Sequence, residues 1–312
     1  VKLFAPGLSA ELATKIAESL GIRVAASEER EFAGGEHKMR PLEDVAGEHV
    51  FVVHSLCGNA EASANDRLCR LLFFAGALRD AGARQVTAVV PYLAYARKDR
   101  RTQPRDPVTT RYVAAMFEAV AIDRVVVLDV HNEAAFDNAF RIPTVRVEAA
   151  ETFAAALASR VGAGHLVIAS PDIGGIKRAQ KFREAVARQL GREVDFAFVE
   201  KRRAGGVVSG DALVGSVAEA EVVFYDDMIV SGTTLVRAAG AARRAGARRV
   251  HVAAPHAAFV PAAAQLFQPD GPETLLVSDS IALSAAFTPF LRGTLQLCSV
   301  APLLAKALAA LA

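Results

Sequence analysis

The sequence predicts an α/β protein of two tandem domains, each a mainly parallel sheet flanked by helices. Short Val-rich runs alternate with Ala/Leu-rich helical stretches, the pattern of parallel βα units. Residues 77–86, ALRDAGARQV, recur as AARRAGARRV at 241–250, an offset of 164 in a chain of 312. Both copies read as helix, Ala-Gly-Ala turn and strand, and both strands end at a proline, Pro91 and Pro255. The length is also about twice that of a common domain. The expected division is 1–147, joined by the terminal helix 300–312, and 148–299.

Composition excludes several functions. Lys plus Arg number 36 against 34 Asp plus Glu, so the net charge of +2 draws the whole molecule to neither nucleic acid nor an anionic membrane. Any phosphate ligand must meet local basic clusters. Cys57, Cys69 and Cys298 are too few and too scattered for a disulfide framework or a zinc site, which predicts a reducing compartment. No charged-then-apolar leader opens the chain and no apolar run is long enough to cross a bilayer. A cytoplasmic protein is expected.

The elements follow in order. A strand at 2–5 precedes a helix at 10–20, capped by Ser9, with Leu12, Ile16 and Leu20 on one face and Gly21 as its stop. Residues 31–36 form a loop in which Phe32 stands near Gly34, Gly35 and Glu36; the ring suits either a purine or the core. A strand at 49–54 leads to a helix at 67–80 capped by Asn65-Asp66, then a strand at 85–90. The loop YLAYARKDRR, 92–101, gathers Arg97, Lys98, Arg100 and Arg101 around Asp99, as a polyphosphate contact or a solvated charge run would.

A helix at 109–119 and a strand at 124–128 end in Asp129-Val130-His131-Asn132-Glu133. Carboxylate, imidazole and carboxylate at alternate positions past a strand can converge at the ligand end of a parallel sheet, where Mg²⁺ is the natural guest. A lone histidine is otherwise structural. A helix at 148–161 and a strand at 166–169 run into Ser170-Pro171-Asp172-Ile173-Gly174-Gly175, one carboxylate among glycines that permit close backbone approach. After a helix at 177–190 and a strand at 195–199 come Glu200-Lys201-Arg202-Arg203 and a Gly pair, suited to a lid over phosphates or to a solvated hairpin.

The most informative stretch is 221–237, EVVFYDDMIVSGTTLVR. A buried-type strand runs into Asp226 and Asp227, and Ser231-Gly232-Thr233-Thr234 then opens an Ala-rich helix. Unpaired N–H groups and the dipole of a helix N-terminus favour a phosphate, and two carboxylates beside it suit the hydroxyls of a sugar. An ordinary capped helix explains the hydroxyls but not the paired carboxylates. A strand at 250–254, a loop at 279–281 and a helix at 303–311 complete the chain.

The motifs PYLAYARKDRR, DVHNE, SPDIGG, EKRR and DDMIVSGTTL, in that order, resemble those of the ribose-phosphate pyrophosphokinase family across nearly the whole chain. The resemblance implies two phosphoribosyltransferase-like domains and a Mg²⁺-dependent synthesis of 5-phosphoribosyl 1-diphosphate and AMP from ATP and ribose 5-phosphate. It implies a homo-oligomer, a dimer or a hexamer. By the same resemblance, Val230, Ser231, Gly232, Thr233 and Thr234 hold the 5-phosphate, and Asp226 and Asp227 the ribose hydroxyls. His131 and Asp172 serve Mg²⁺, with Asp129 a helper, and Lys201 and Arg203 are the catalytic cations. Phe32, Gly34, Gly35 and Glu36 form the adenine side, while Arg97 and Lys98 meet the ATP. The chain departs from the family pattern at Val230, Thr233, Gly34 and Lys98. The DDMIVSGTT loop alone also suits a phosphoribosyltransferase that consumes the diphosphate, and Gly34 and Val230 also suit a regulatory homologue of the synthase.

Overall fold

A computed structural model describes residues 1–204 and 207–312, with the backbone alone for Leu8, 201–204 and 207–211. These residues divide into two compact units, Val1–Glu148 with Ser280–Ala282 and Val300–Ala312, and Ala149–Asp279 with Leu283–Ser299.

The first unit contains β1 (Lys2–Phe4), α1 (Ala10–Leu20), β2 (Ser27–Glu31), β3 (His37–Pro41), β4 (His49–Val53), α2 (Ala64–Asp80), β5 (Gln85–Val90), α3 (Thr109–Ala119), β6 (Arg124–Leu128), α4 (Glu133–Ala139) and β7 (Thr144–Val147). Its sheet has the order β1-β4-β5-β6-β7, parallel throughout. Both faces of such a sheet are covered, which is why β4 is buried at every position and reads as continuous Val and Phe. Phe4 and Phe74 meet edge to face at 5.5 Å on one side of it, and Phe117, Phe136 and Phe140 form a second aromatic cluster. β2 and β3 form a separate antiparallel hairpin packed on α2.

The second unit contains α5 (Ala150–Ala158), β8 (Leu166–Ser170), α6 (Ile176–Leu190), β9 (Asp195–Ala204), β10 (Val207–Val214), β11 (Glu221–Tyr225), β12 (Met228–Ile229), α7 (Thr233–Arg244), β13 (Arg249–Ala254), β14 (His256–Ala257), β15 (Thr274–Ser278) and β16 (Leu295–Cys298). Its main sheet runs β10-β9-β8-β11-β13-β15-β16, with only β10 antiparallel. Phe182 stacks on Tyr225 at 4.1 Å beneath β11. The last helix, α8 (Ala301–Ala309), belongs to the first unit and packs on α1 and β7.

Several expected local features differ. Ser9 stands at the N-cap of α1 but makes no capping bond; its hydroxyl instead accepts from Ser55 N–H at 3.0 Å and pairs with His54 Nδ1 at 3.2 Å. The cap of α2 is Ser63, not Asn65-Asp66, because Ser63 and Asp66 close a reciprocal capping box. α5 covers 150–158 rather than 148–161. α4, β7 and the β2–β3 hairpin were not anticipated, since none is long enough to display a clear period. The basic run after 199 continues β9 to Ala204 as one arm of an antiparallel hairpin with β10, the edge strand of the sheet.

Candidate active site

In the second unit the site grows from the end of β11. Tyr225 is buried, and the next residue, Asp226, donates its N–H to Ala253 O at 3.2 Å, so the chain leaves the sheet in register with β13. β12 pairs with β14, and His256 N–H donates to Asp227 O at 3.1 Å, pinning the exit. The two carboxylates therefore stand side by side on fixed backbone. Arg178, on α6, reaches both: its Nη1 lies 3.3 Å from Asp226 Oδ1 and 3.3 Å from Asp227 Oδ1. Asp227 is 6% exposed and Asp226 22%. Burial pushes the Asp226 carboxyl well above its usual range, the Asp227 charge adds to this, and Arg178 opposes it. Two packed carboxylates sharing one guanidinium are a site for groups that donate hydrogen bonds.

Beyond them the chain turns at Gly232, whose φ is +76° and whose missing Cβ would stand 2.5 Å from Leu266 Cγ. Only glycine tolerates both the conformation and the closeness. α7 starts at Thr233 without a side-chain cap. Ser231 Oγ and Thr233 Oγ1 are 3.1 Å apart, and Gln265 braces the turn by donating to Ser231 O at 2.6 Å and to Thr233 Oγ1 at 3.1 Å. Thr234 follows, half-buried, and Val230 leads in through backbone, its carbonyl accepting from Val260 N–H at 3.2 Å. Ser231 to Thr234 thus gather two or more hydroxyls at the N-terminus of a twelve-residue helix, an anion cradle in geometry and dipole. Sequence reasoning missed Arg178 and Gln265. The first carried a signal, a cation six residues after Asp172; the second arrives from a distant 3-10 turn and carried none.

Asp172 stands two residues past the end of β8 in the same unit. Its Oδ1 accepts from Gly175 N–H at 3.0 Å, and Ser170 Oγ donates to its carbonyl at 2.6 Å. A Cβ at Gly175 would lie 2.7 Å from Ser170 Oγ, so the glycine permits this tight turn. A carboxylate has two oxygens, and the cap engages only Oδ1.

The first unit places its own candidates on three loops. Phe32, Gly34, Gly35 and Glu36 form the tip of the β2–β3 hairpin, closed by Phe32 N–H on Glu36 O at 2.7 Å, with Gly34 and Gly35 at φ +92° and +88°. Phe32 is 42% exposed, with the Arg30 guanidinium 5.2 Å from its ring centre, so it is a surface ring and not a core one. Arg97 is exposed. Lys98 pairs with Asp106 at 2.9 Å, and that carboxylate also gathers Thr102 N–H, Thr102 Oγ1 and Gln103 N–H, bonds that hold it far below the usual carboxylate range. The loop is ordered by its own contacts: Thr110 Oγ1 donates to Tyr95 O, and the Tyr95 hydroxyl to Asn65 Oδ1.

His131 is exposed just ahead of α4, and Asp129 takes a positive φ of 40°. The expected convergence of Asp129, His131 and Glu133 is corrected at Glu133, which lies in the first turn of α4 and pairs with Arg146 at 2.6 Å. The carboxylate brought to this loop is instead Asp99, which accepts from Asn132 Nδ2 at 2.6 Å. The side chains of Lys201 and Arg203 lie outside the described residues, as do Gly205 and Gly206. Only their strand, β9, is given.

Comparison with known proteins adds an independent line. Residues 1–120 match the model for the N-terminal domain of ribose phosphate pyrophosphokinase, and residues 143–272 the phosphoribosyl transferase domain. The chain is 36% identical over 310 residues to the ribose-phosphate pyrophosphokinase of Haemophilus influenzae, covering 99% of this chain and 95% of that protein. The same figures hold for that of Vibrio parahaemolyticus. Among solved structures it resembles the phosphoribosylpyrophosphate synthetase of Mycobacterium smegmatis, with a TM-score of 0.89 and 30% identity over 99% of this chain and 98% of the other.

Proposed function

The chain belongs to the ribose-phosphate pyrophosphokinase family, and on that premise we propose that it transfers the diphosphoryl group of ATP to the anomeric hydroxyl of ribose 5-phosphate. The observation that carries this reading is the Asp226–Asp227 pair bridged by Arg178 beside the Ser231–Thr234 cradle. Hydroxyls 2 and 3 of the sugar donate to the two carboxylates, and the cradle takes the 5-phosphate. Arg178 lies within reach of both carboxylates and opposes the burial that favours the protonated form of Asp226. The anomeric oxygen attacks the β-phosphorus in line. A new O–P bond forms there, the bond from that phosphorus to the oxygen bridging the α-phosphorus breaks, and AMP leaves with the bridging oxygen. The hydroxyl proton passes to solvent. Lys201 and Arg203 stabilise the charge on the moving diphosphoryl group, and positioning supplies much of the remaining acceleration.

In the first unit, Phe32 with Gly34, Gly35 and Glu36 meets the adenine and Arg97 the phosphates, with Lys98 held beside it by Asp106. His131 and Asp172 are the residues we assign to Mg²⁺. Among the described residues no three His, Cys, Asp or Glu side chains gather as a metal cage. Mg²⁺ takes one or two side chains and completes its shell with waters and phosphate oxygens. When bound, the ion supplies charge neutralisation on those oxygens. Domains 1–147 with 300–312 and 148–299, a homodimer or hexamer, and a cytoplasmic setting complete the proposal. Among the described residues no helix is long and apolar enough to cross a membrane.

Phosphorus NMR of the full chain with ATP, ribose 5-phosphate and Mg²⁺ tests the reading. AMP and the 1-diphosphate are expected in equal amounts. Product formation only when a nucleobase is supplied, or only with another nucleotide donor, overturns it.

A further inference from the structure

In the first unit one side chain belongs to two loops at once. Asn132 is the N-cap of α4: its Oδ1 accepts from Ala135 N–H at 3.2 Å. Its Nδ2 donates to Asp99 Oδ2 at 2.6 Å. The two bonds fix the amide orientation, because the reversed amide would set an oxygen against a carboxylate and an N–H₂ against an N–H. Asp99 lies two residues after Arg97 in the basic loop, and Asn132 directly follows His131. The basic loop is itself stiff, tied to Thr110, Asp106 and Asn65, so a contact at Asp99 is transmitted to Arg97 with little slack. α4 is fixed at its other side by Arg146, which pairs with Glu133 and with Asp137.

We infer that Asn132 is a positioning residue, which by capping α4 while donating to Asp99 fixes the loop carrying Arg97 against the loop carrying His131. The inference rests on the functional reading above for the roles of Arg97 and His131. The Oδ1 and Nδ2 of Asn132 are each engaged by the protein itself. A cap alone is served equally well by Ser or Asp; the second bond requires an amide with a donor on this reach.

The test separates the two bonds. Asn132→Asp keeps the cap and sets a second carboxylate against Asp99. Asn132→Ser keeps a cap but is too short to reach Asp99. In steady-state kinetics of the full chain, both are expected to raise the KM for ATP about tenfold and to raise the Mg²⁺ needed for half-maximal rate. The KM for ribose 5-phosphate should stay within about twofold and the unfolding midpoint within about 2 °C. The double variant Asp99→Asn with Asn132→Asp exchanges donor and acceptor and is expected to return the KM for ATP to within about threefold of the parent. Binding of Mg·ATP by calorimetry, without ribose 5-phosphate, gives a second readout. Unchanged ATP affinity in Asn132→Asp and Asn132→Ser, or a double variant no better than the product of its two single effects, overturns the inference. Failure of the parent chain to form AMP breaks the functional reading instead, and the calorimetric comparison still decides the role of Asn132.

Discussion

His54 and Asp226 occupy the same place in the two units. Each is the first residue past a central parallel strand, β4 or β11, and each donates its N–H to the penultimate residue of the next strand, Val89 or Ala253, positions 164 apart. Behind them the scaffold is repeated in detail. In both copies an Ala-Gly-Ala turn leaves the helix with glycine at φ +87° or +91°. Arg79 and Arg243 donate to carbonyls of the loop that leads into β6 or β15, Ala121 or Asp270 and Gly271, and to a carboxylate, Asp123 or Glu273, which in turn accepts from Val86 N–H or Val250 N–H at 2.7 Å. Ahead of them the units diverge. His54 is enclosed, its ring paired with Ser9 and its neighbour Ser55 receiving Arg67, whereas Asp226 stands beside Asp227, a cation and an anion cradle. A repeated frame is therefore compatible with a closed end or a ligand end, and the loop alone decides which.

The largest effect is expected where the open end is closed. Asp226→Asn should lower kcat/KM for ribose 5-phosphate about 100-fold, the cost of a charge-assisted bond to a hydroxyl. It should also stabilise the ligand-free protein. The folded carboxyl titrates above its unfolded value, so stability is present at low pH and lost as pH rises through the raised value. Thermal unfolding at pH 8 should show the asparagine variant above the parent, with the two curves meeting in acid. Equal activity, or a variant less stable at pH 8, would remove the special status given to this end. Next comes Gly232→Ala, which meets both a φ of +76° and Leu266 Cγ at 2.5 Å. A loss of about 1–3 kcal/mol in stability and about a tenfold rise in KM for ribose 5-phosphate are expected, read by denaturant titration and initial rates.

Much of the frame was legible because it repeats or is strongly periodic. β5, α3, β6 and β11 lie where their Val-rich or Ala-rich runs stand, and the Ala-Gly-Ala turns were visible as a 164-residue echo. Asp226, Asp227 and the cradle were legible because paired carboxylates before a Ser/Thr-rich helix start are a local pattern. What could not be read is non-local. The carboxylates receiving Arg79 and Arg243, Asp123 and Glu273, stand only 150 residues apart and so fall outside the echo. Gln265 reaches the cradle across 34 residues, Arg178 the aspartates across 48. The pairing of Lys98 with Asp106, eight residues on, gave no sign in the sequence either.

The shared frame can be tested for equality. Arg79→Met and Arg243→Met keep the aliphatic stem and remove from each unit the bonds to loop carbonyls and to one carboxylate, four bonds for Arg79 and three for Arg243. Both arginines are partly exposed, with 28% and 30% of the side chain accessible, so solvent recovers part of the loss. Each substitution should cost about 1–2 kcal/mol in chemical denaturation, with kcat unchanged in both. A cost confined to one of them would show that the resemblance of the two frames is geometric and not energetic.

The smallest effect belongs to His54, and it runs opposite in pH to that of its counterpart. The ring is 3% exposed, and burial, aided by the charges of Arg67 and Arg70, pushes its pKa down to about 3. His37 is the other titratable group felt there. The neutral ring is thus the folded form. Its contribution is present above the unfolded value of about 6.5 and is lost as pH falls from there toward about 3. Glutamine in its place keeps a polar planar group able to meet Ser9 but takes up no proton. Denaturant midpoints of parent and His54→Gln, measured at pH 7.5, 5.5 and 4.5, should lie closest at 7.5, with the parent falling faster in acid. Parallel curves would mean that the ring is protonated without penalty and that the first unit's strand end is open to solvent. A steeper acid loss in the parent, set against the loss with rising pH relieved by Asp226→Asn, would give the groups at one position of a repeated frame opposite pH dependences.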